Sequence, residues 1–428
     1  MAERALHDAP IARSASSRAD STWVALIVFA ALAAVTAGRV VHELARAGEP
    51  SAYAMQDFRD TVYYPARALL DGRNPYDATV YRTFYPIGSV LTAYAPAFLL
   101  LGLPFTALTL TYAEIAYHVL NLLLVLAFAL LTLRLCPVEA TRAAVLVLGS
   151  AILLSRPGHS NLFNGQSTLL VASGTYLALA LSVRRPIVAG VGLALALLKP
   201  SFGLPLAVLL LAAGQVTTVV VGAAGTAVTS GPVAVVLARA AGGVAPLVRS
   251  VLDGARSHME LSSNAPATSL RIDAVAWVGR LIDGRVVTPL ATLVGVAILG
   301  AAAFTTYRLA RSGDRQADPL RWCVGLLAIL LAVYHQNYDS LVLTLPIVQL
   351  SLGRWQPATM VAGVAARWWL LGLLAVPLLN HTLNSKVAAM LGSTGHLLLL
   401  AVDPLAMMTA FVLCLWLARE QRMVAPVA

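Results

Sequence analysis

The chain has 428 residues, 59% of them hydrophobic and 12% charged, against about 25% charged in soluble globular domains. Its net charge of +10 is almost wholly arginine, with lysine only at Lys199 and Lys386. These arginines flank apolar runs instead of forming a basic stripe interleaved with aromatics, which argues against nucleic-acid binding and for positive-inside membrane topology. Apolar stretches of about 20 residues recur along most of the length, so an all-α polytopic membrane protein is expected, with about 10–12 transmembrane helices.

Residues 1–22 are polar and rich in Ala and Ser, and read as a disordered cytoplasmic tail. Residues 23–428 read as one transmembrane unit with outer loops at 45–84 and 241–283. The first helix, Trp23 to Leu44, is long for a signal-peptide core and reads as an uncleaved anchor. The first outer loop contains DFRDTVYYPARALLDGRNPYD, Asp57 to Asp77, the most polar and aromatic run in the chain. It is expected to form an outer-face juxtamembrane helix. Next, Thr83 to Phe105 is broken by Pro86, Pro96 and Pro104 and reads as a broken helix or re-entrant hairpin. Helices are expected over 107–133 and 143–154, then a polar break, SRPGHSNLFNGQST at 155–168, and a helix to Leu181 that ends at Arg184-Arg185. The segment 187–213 is split by Lys199-Pro200 into halves too short to span alone, so two half-helices should meet at a polar point inside the membrane. Further helices are expected at 216–237, 286–307, 324–334, 340–352, 358–379 and 387–417.

Ionisable groups in or beside apolar segments are costly and point to function. Asp57 and Asp60 share a face if helical. One of them, held near the membrane surface, fits a catalytic base; the plain alternative is a solvated loop pair. Lys199 fits a phosphate partner beside the free amides of a half-helix start, or a snorkelling lysine. His335 and Asp339, in YHQNYDS, are spaced to face one site if that segment stays helical. Asn164 and Gln166 offer amides suited to sugar hydroxyls, or simply furnish a polar loop. Cys136, Cys323 and Cys414 show no metal-ligand spacing, and a disulfide framework is not expected.

These phrases, in this order, resemble a known group. DFRDTVYYPARALLDGRNPYD is similar to the first loop of bacterial polyprenol-phosphate-mannose-dependent mannosyltransferases, multi-pass glycosyltransferases of the C superfamily that include enzymes extending phosphatidylinositol mannosides. FYPIGSVLTAYAP resembles the family's Tyr-Pro-Pro segment, with Ile87 in place of the second proline. NGQSTLL resembles its Gly-Gln segment, VRRPIVAGVGLALALLKPSFGLPL its Leu-Lys-Pro segment, SNAPATSLRIDA its Asn…Ser-Leu…Arg loop, and YHQNYDSLVL its His/Asp patch. The resemblance runs from about Asp57 to Leu350. The Asp-Phe dipeptide favours Asp57 as the base, whereas the four-residue spacing to Tyr64 favours Asp60.

The resemblance implies inverting transfer of a sugar from a polyprenyl-phosphate donor to a lipid or glycan acceptor at the extracytoplasmic face of the cell membrane. Mannose is the first expectation and arabinofuranose the second. Asp57 or Asp60 would take the acceptor proton, and Lys199, His335 and Arg271 would bind the donor phosphate. Tyr63, Tyr64, Tyr76, Asn164, Gln166, Asn264, Asn337, Tyr338 and Asp339 would line the substrate site. No metal and no cofactor are implied. Two other readings compete: a transporter or lipid flippase with its substrate site at the broken helix around Lys199, and a non-catalytic membrane scaffold.

Overall fold

The computed structural model describes residues 15–46, 54–91, 94–136, 138–260, 270–281, 287–314, 317–357, 359–381, 390 and 392–420. The protein is an all-α polytopic membrane protein. Among the described residues, five stretches are long and apolar enough to cross a bilayer: Ser21–Ala45, Leu110–Leu135, Val216–Ala240, Thr292–Arg311 and Leu398–Glu420. They belong to α1 (Ala15–Ala45), α5 (Leu110–Leu135), α11 (Val216–Ala240), α14 (Val287–Arg311) and α18 (Gly392–Glu420). Shorter apolar helices fill the space between them: α6 (Arg142–Leu154), α8 (Thr168–Leu181), α9 (Pro186–Leu197), α10 (Pro200–Ala212) and α17 (Ala366–Leu379).

The main core surrounds α15 (Asp318–Ala332), whose Leu326, Leu327, Ala328, Ile329, Leu330 and Leu331 are all fully buried. A helix apolar on every side belongs in the middle of a bundle. The split expected at Lys199 is present. Pro186 and Pro200 sit at the starts of α9 and α10, where a missing N–H costs nothing. Lys199 is the extended residue between the two helices, at φ −114° and ψ 96°. Helices α8 and α9 pack backbone to backbone: a Cβ at Gly174 would lie 2.6 Å from the Gly192 carbonyl oxygen, and one at Gly192 2.7 Å from that of Gly174. Small residues permit this approach, and it brings Thr168 at one end of α8 alongside Lys199 at the end of α9.

The stretch expected to be the first outer loop is a folded layer. A π-helical turn (Phe58–Tyr63) runs into α2 (Tyr64–Leu70), and α3 (Ala78–Phe84) follows, with the Asp77 carboxylate accepting from the Thr79 and Val80 amides. Its aromatic residues, among them Phe58, Tyr63, Tyr76, Tyr81 and Tyr85, form a second core with Phe98 and Tyr117. The proline-broken stretch after it does not cross the membrane as one helix. It breaks into a 3-10 turn (Pro96–Phe98), α4 (Leu99–Gly102) and another 3-10 turn (Leu103–Ala107).

Several expected boundaries differ. The break at 155–168 is mostly helix: α7 (Arg156–Asn164) starts where the Ser155 side chain accepts from the Gly158 amide, and ends at left-handed Gly165, φ +71°. A Cβ on Gly165 would lie 2.7 Å from that of Phe58. The stretch expected to be the second outer loop holds α12 (Val244–Glu260) and α13 (Ala274–Leu281). The helix expected from Val324 begins at Asp318. The one expected from Ser340 is a 3-10 helix (Asn337–Leu343) leading into α16 (Thr344–Ser351). The stretch from 358 opens with a small antiparallel hairpin, β1 (Met360–Val361) and β2 (Val364–Ala365), before α17.

Candidate active site

Lys199, His335 and Asp339 form one buried cluster. Lys199 Nζ donates to Asp339 Oδ1 at 2.7 Å and Oδ2 at 2.9 Å. His335 Nδ1 lies 2.9 Å from Asp339 Oδ2, and Thr168 Oγ1 donates to Asp339 Oδ1 at 3.0 Å. All four residues are buried. His335 and Asp339 meet, but not on a continuous helix. The chain is extended at Gln336 (φ −108°, ψ 168°), and Asp339 closes a capping box by accepting from the Gln336 amide at 3.2 Å. The extended stretch pairs with residues 270–272, just before α13: the Ile272 amide donates to the His335 carbonyl at 3.1 Å, and that of Asn337 to the Leu270 carbonyl at 2.8 Å. This pairing brings Arg271 in beside the cluster. Its guanidinium donates to both Asp273 oxygens, at 3.0 and 2.8 Å.

Both strong cations expected to meet a phosphate are therefore already ion-paired. A paired, buried cation is oriented before any ligand arrives, which is the condition for electrostatic preorganisation. Two polar atoms beside the cluster, Ser201 Oγ and Asn337 Oδ1, are buried without a hydrogen-bond partner among the described residues. Asn337 uses its amide nitrogen on Ser160 Oγ, at 3.1 Å.

Asp57 and Asp60 hold different positions. The turn that carries them lies outside the apolar spans and is latched to α7 by the Met55 amide, which donates to the Phe163 carbonyl at 2.8 Å. Asp60 is buried, and its Oδ2 accepts from the Gly88 and Ser89 amides at 3.1 and 2.7 Å, so it fastens the following loop. Asp57 keeps some accessible surface and accepts from Gln166 Nε2 at 2.5 Å. Gln166 in turn accepts from the Tyr94 hydroxyl at 3.2 Å. Exclusion of water raises the Asp57 carboxyl to about 6, against the opposing pull of the Gln166 hydrogen bond and the nearby Lys199 charge. Exclusion of water also raises Asp60 to about 7, opposed by the Ser89 amide and assisted by the Asp57 charge. Lys199 and Asp339 both act electrostatically on Asp57, so this carboxylate and the buried cluster share one region.

The remaining expected residues divide. Tyr338 lies in that region, with its ring 5.1 Å from Lys199 Nζ. The Tyr63 hydroxyl donates to the Leu108 carbonyl at 3.1 Å, and that of Tyr76 to the Tyr94 carbonyl at 2.8 Å, so both hydroxyls brace the outer layer. Tyr64 stacks edge-on against Tyr63 within the same layer. Asn164 ends α7. Asn264 lies outside the described residues. Tyr94, Thr168 and Asp273 were not singled out from the sequence, although Tyr94 falls within FYPIGSVLTAYAP and Thr168 within NGQSTLL. Among the described residues, no group of three or more His, Cys, Asp or Glu is placed to hold a metal ion.

A search of curated proteins gave no match, and a search of solved structures gave none. A protein-family model described as glycosyltransferase family 87 matches residues 92–334, which include Tyr94, Gln166, Thr168, Lys199 and Arg271. The match starts beyond Asp57 and Asp60, stops one residue short of His335, and spans more than half of the chain. The chain belongs to glycosyltransferase family 87 and is a membrane glycosyltransferase.

Proposed function

We propose that the enzyme transfers a sugar, mannose in the first instance, from a polyprenyl-phosphate donor to a hydroxyl of a lipid or glycan acceptor, with inversion, at the extracytoplasmic face of the cell membrane. Asp57 is the base. The observation that carries this assignment is its carboxylate, raised to about 6, held by Gln166 and within electrostatic reach of Lys199 and Asp339. A carboxylate of that basicity is ionised at neutral pH and still accepts a proton readily. Asp60 has its Oδ2 committed to two backbone amides and acts as a support.

In the reaction the acceptor oxygen forms a bond to the anomeric carbon while its proton passes to Asp57. The bond from the anomeric carbon to the phosphate oxygen breaks, and its electron pair leaves with the lipid phosphate. Lys199, His335 and Arg271 take that developing charge, the lysine and arginine pre-aligned by Asp339 and Asp273. By analogy with glycosidases the transition state is oxocarbenium-like.

The test uses membranes containing the full chain, incubated with radiolabelled polyprenyl-phosphate mannose and total cell lipid as acceptor. Label should pass to other lipids or glycans with wild type and not with Asp57→Asn. If only the arabinofuranose counterpart supports transfer, the sugar is reassigned. If neither donor does, the polyprenyl-phosphate reading is wrong.

A further inference from the structure

At the far end of the bundle from Asp57 lies a polar cavity of about 500 Å³. It is framed by the C-terminal ends of α5, α8 and α14 and the start of α15, and Arg134, Arg184, Arg321 and Trp322 line it. Two of the helices that frame it also reach the candidate active site. Helix α8 runs from Thr168 to Leu181 and α15 from Asp318 to Ala332, three residues before His335. At 1.5 Å per residue each spans about 20 Å, so the two polar regions sit toward opposite faces of the membrane-embedded body.

The charges in the cavity are not equivalent. Arg321 is paired with Asp318 at 2.7 Å. Asp314 also lines the wall and is exposed. Arg134 and Arg184 make no ion pair with any described residue. Trp322 also lines the wall, with its Nε1 buried in the protein. The rest of the wall is aliphatic, including Leu135, Leu179 and Leu181. Positive-inside topology accounts for arginines at this face but asks only for charge. It does not call for two guanidinium groups without an ion-pair partner among the described residues, set against an aliphatic wall in one cavity. Basic pockets between membrane helices at the arginine-rich face suit anionic lipid headgroups.

We propose that this cavity is a binding site for the phosphate of an anionic glycerophospholipid, with Arg134 and Arg184 gripping the phosphate and the acyl chains leaving along the aliphatic wall. The site is separate from the sugar-transfer site and does not depend on the assignment of the base.

The test is native mass spectrometry of the purified full chain in detergent, titrated with phosphatidylglycerol or with phosphatidylcholine of the same acyl chains. Wild type should retain phosphatidylglycerol about tenfold more strongly, and the preference should vanish when Arg134→Gln and Arg184→Gln are combined. Should that protein fail to fold, Arg134→Lys with Arg184→Lys keeps the topology charges while losing the planar fork, and should bind phosphatidylglycerol several-fold more weakly. Glycerol 3-phosphate provides the other arm. Displacement of the lipid by millimolar amounts assigns recognition to the phosphate headgroup alone, and failure to displace it assigns recognition to the whole lipid. Equal retention of the two lipids by wild type, or undiminished phosphatidylglycerol binding by the lysine variant, overturns the proposal.

Discussion

Lys199 Nζ sits between the two carboxylate oxygens of Asp339, at 2.7 and 2.9 Å, and joins the start of a half-helix to a turn 140 residues further along the chain. Both residues are buried, so neither charge is tolerable without the other. Removing one partner of such a pair costs about 3–5 kcal/mol, because the other is left uncompensated. Lys199→Met and Asp339→Asn should each lower thermal stability in detergent by that order. The double variant should be more stable than the sum of the two losses implies, by about 1 kcal/mol or more. Strict additivity would show that the pair is not coupled.

The two outer-loop aspartates should separate cleanly. Asp57→Asn should reduce transfer by about 100-fold or more, the scale of a lost general base, with little change in melting temperature. Asp60→Asn keeps an oxygen for the Gly88 and Ser89 amides and should retain most activity. Asp60→Ala leaves those two amides without their acceptor, at a cost of about 1–3 kcal/mol, so its defect should appear first in stability. Loss of activity in Asp60→Asn with normal folding would reverse the assignment.

Helix spacing sets the distance between Thr168 and the Lys199–Asp339 pair. Gly174 touches the Gly192 backbone, so Gly174→Leu must push α8 and α9 apart. Overpacking of this kind costs about 1–3 kcal/mol, and transfer activity should fall with it. Gly300, on α14, has no heavy atom within 4 Å of an added Cβ. Gly300→Ala should be neutral or stabilising by about 0.5–1 kcal/mol, since alanine is the better helix former. Equal effects at the two positions would refute the packing argument.

Much of the fold and part of the site can be read from the sequence, for an identifiable reason. Lys199, His335 and Asp339 stand out because ionisable residues are rare between apolar runs, and Lys199-Pro200 announces its own helix break. Gln166 and Asp57 stand out by the phrases around them. Tyr94, Thr168 and Asp273 lie in such phrases too but do not stand out within them, because a tyrosine, a threonine and a loop aspartate are ordinary residues until long-range packing gives them partners. Helix α7 reads as a loop because RPGHSNLFN has low hydropathy, although Ser155 before it and Gly165 after it are the residue types that cap helices. Beyond Gly353 the sequence offers no motif to read. Asp403 on α18 receives Arg156 Nη1 at 2.9 Å and Asn380 Nδ2 at 2.7 Å, and the first of these contacts spans 247 residues. A single sequence does not display such a contact.

The pH dependence of kcat/KM tests the base most directly, because it reports the ionisation of the free enzyme. With the Asp57 carboxyl raised to about 6, the enzyme should lose activity as pH falls below that value, about tenfold per unit, and level off above it. The sign follows from the role: a base works only when deprotonated, and a raised carboxyl stays protonated to a higher pH. Gln166 donates to the ionised form and so holds the value down. Gln166→Leu removes that donor, and the acid limb should move to higher pH. In Asp57→Asn the residual activity should lose this limb altogether. An acid limb that persists in Asp57→Asn, or that moves to lower pH in Gln166→Leu, would place the base elsewhere, with Asp60, raised to about 7, as the next group to test.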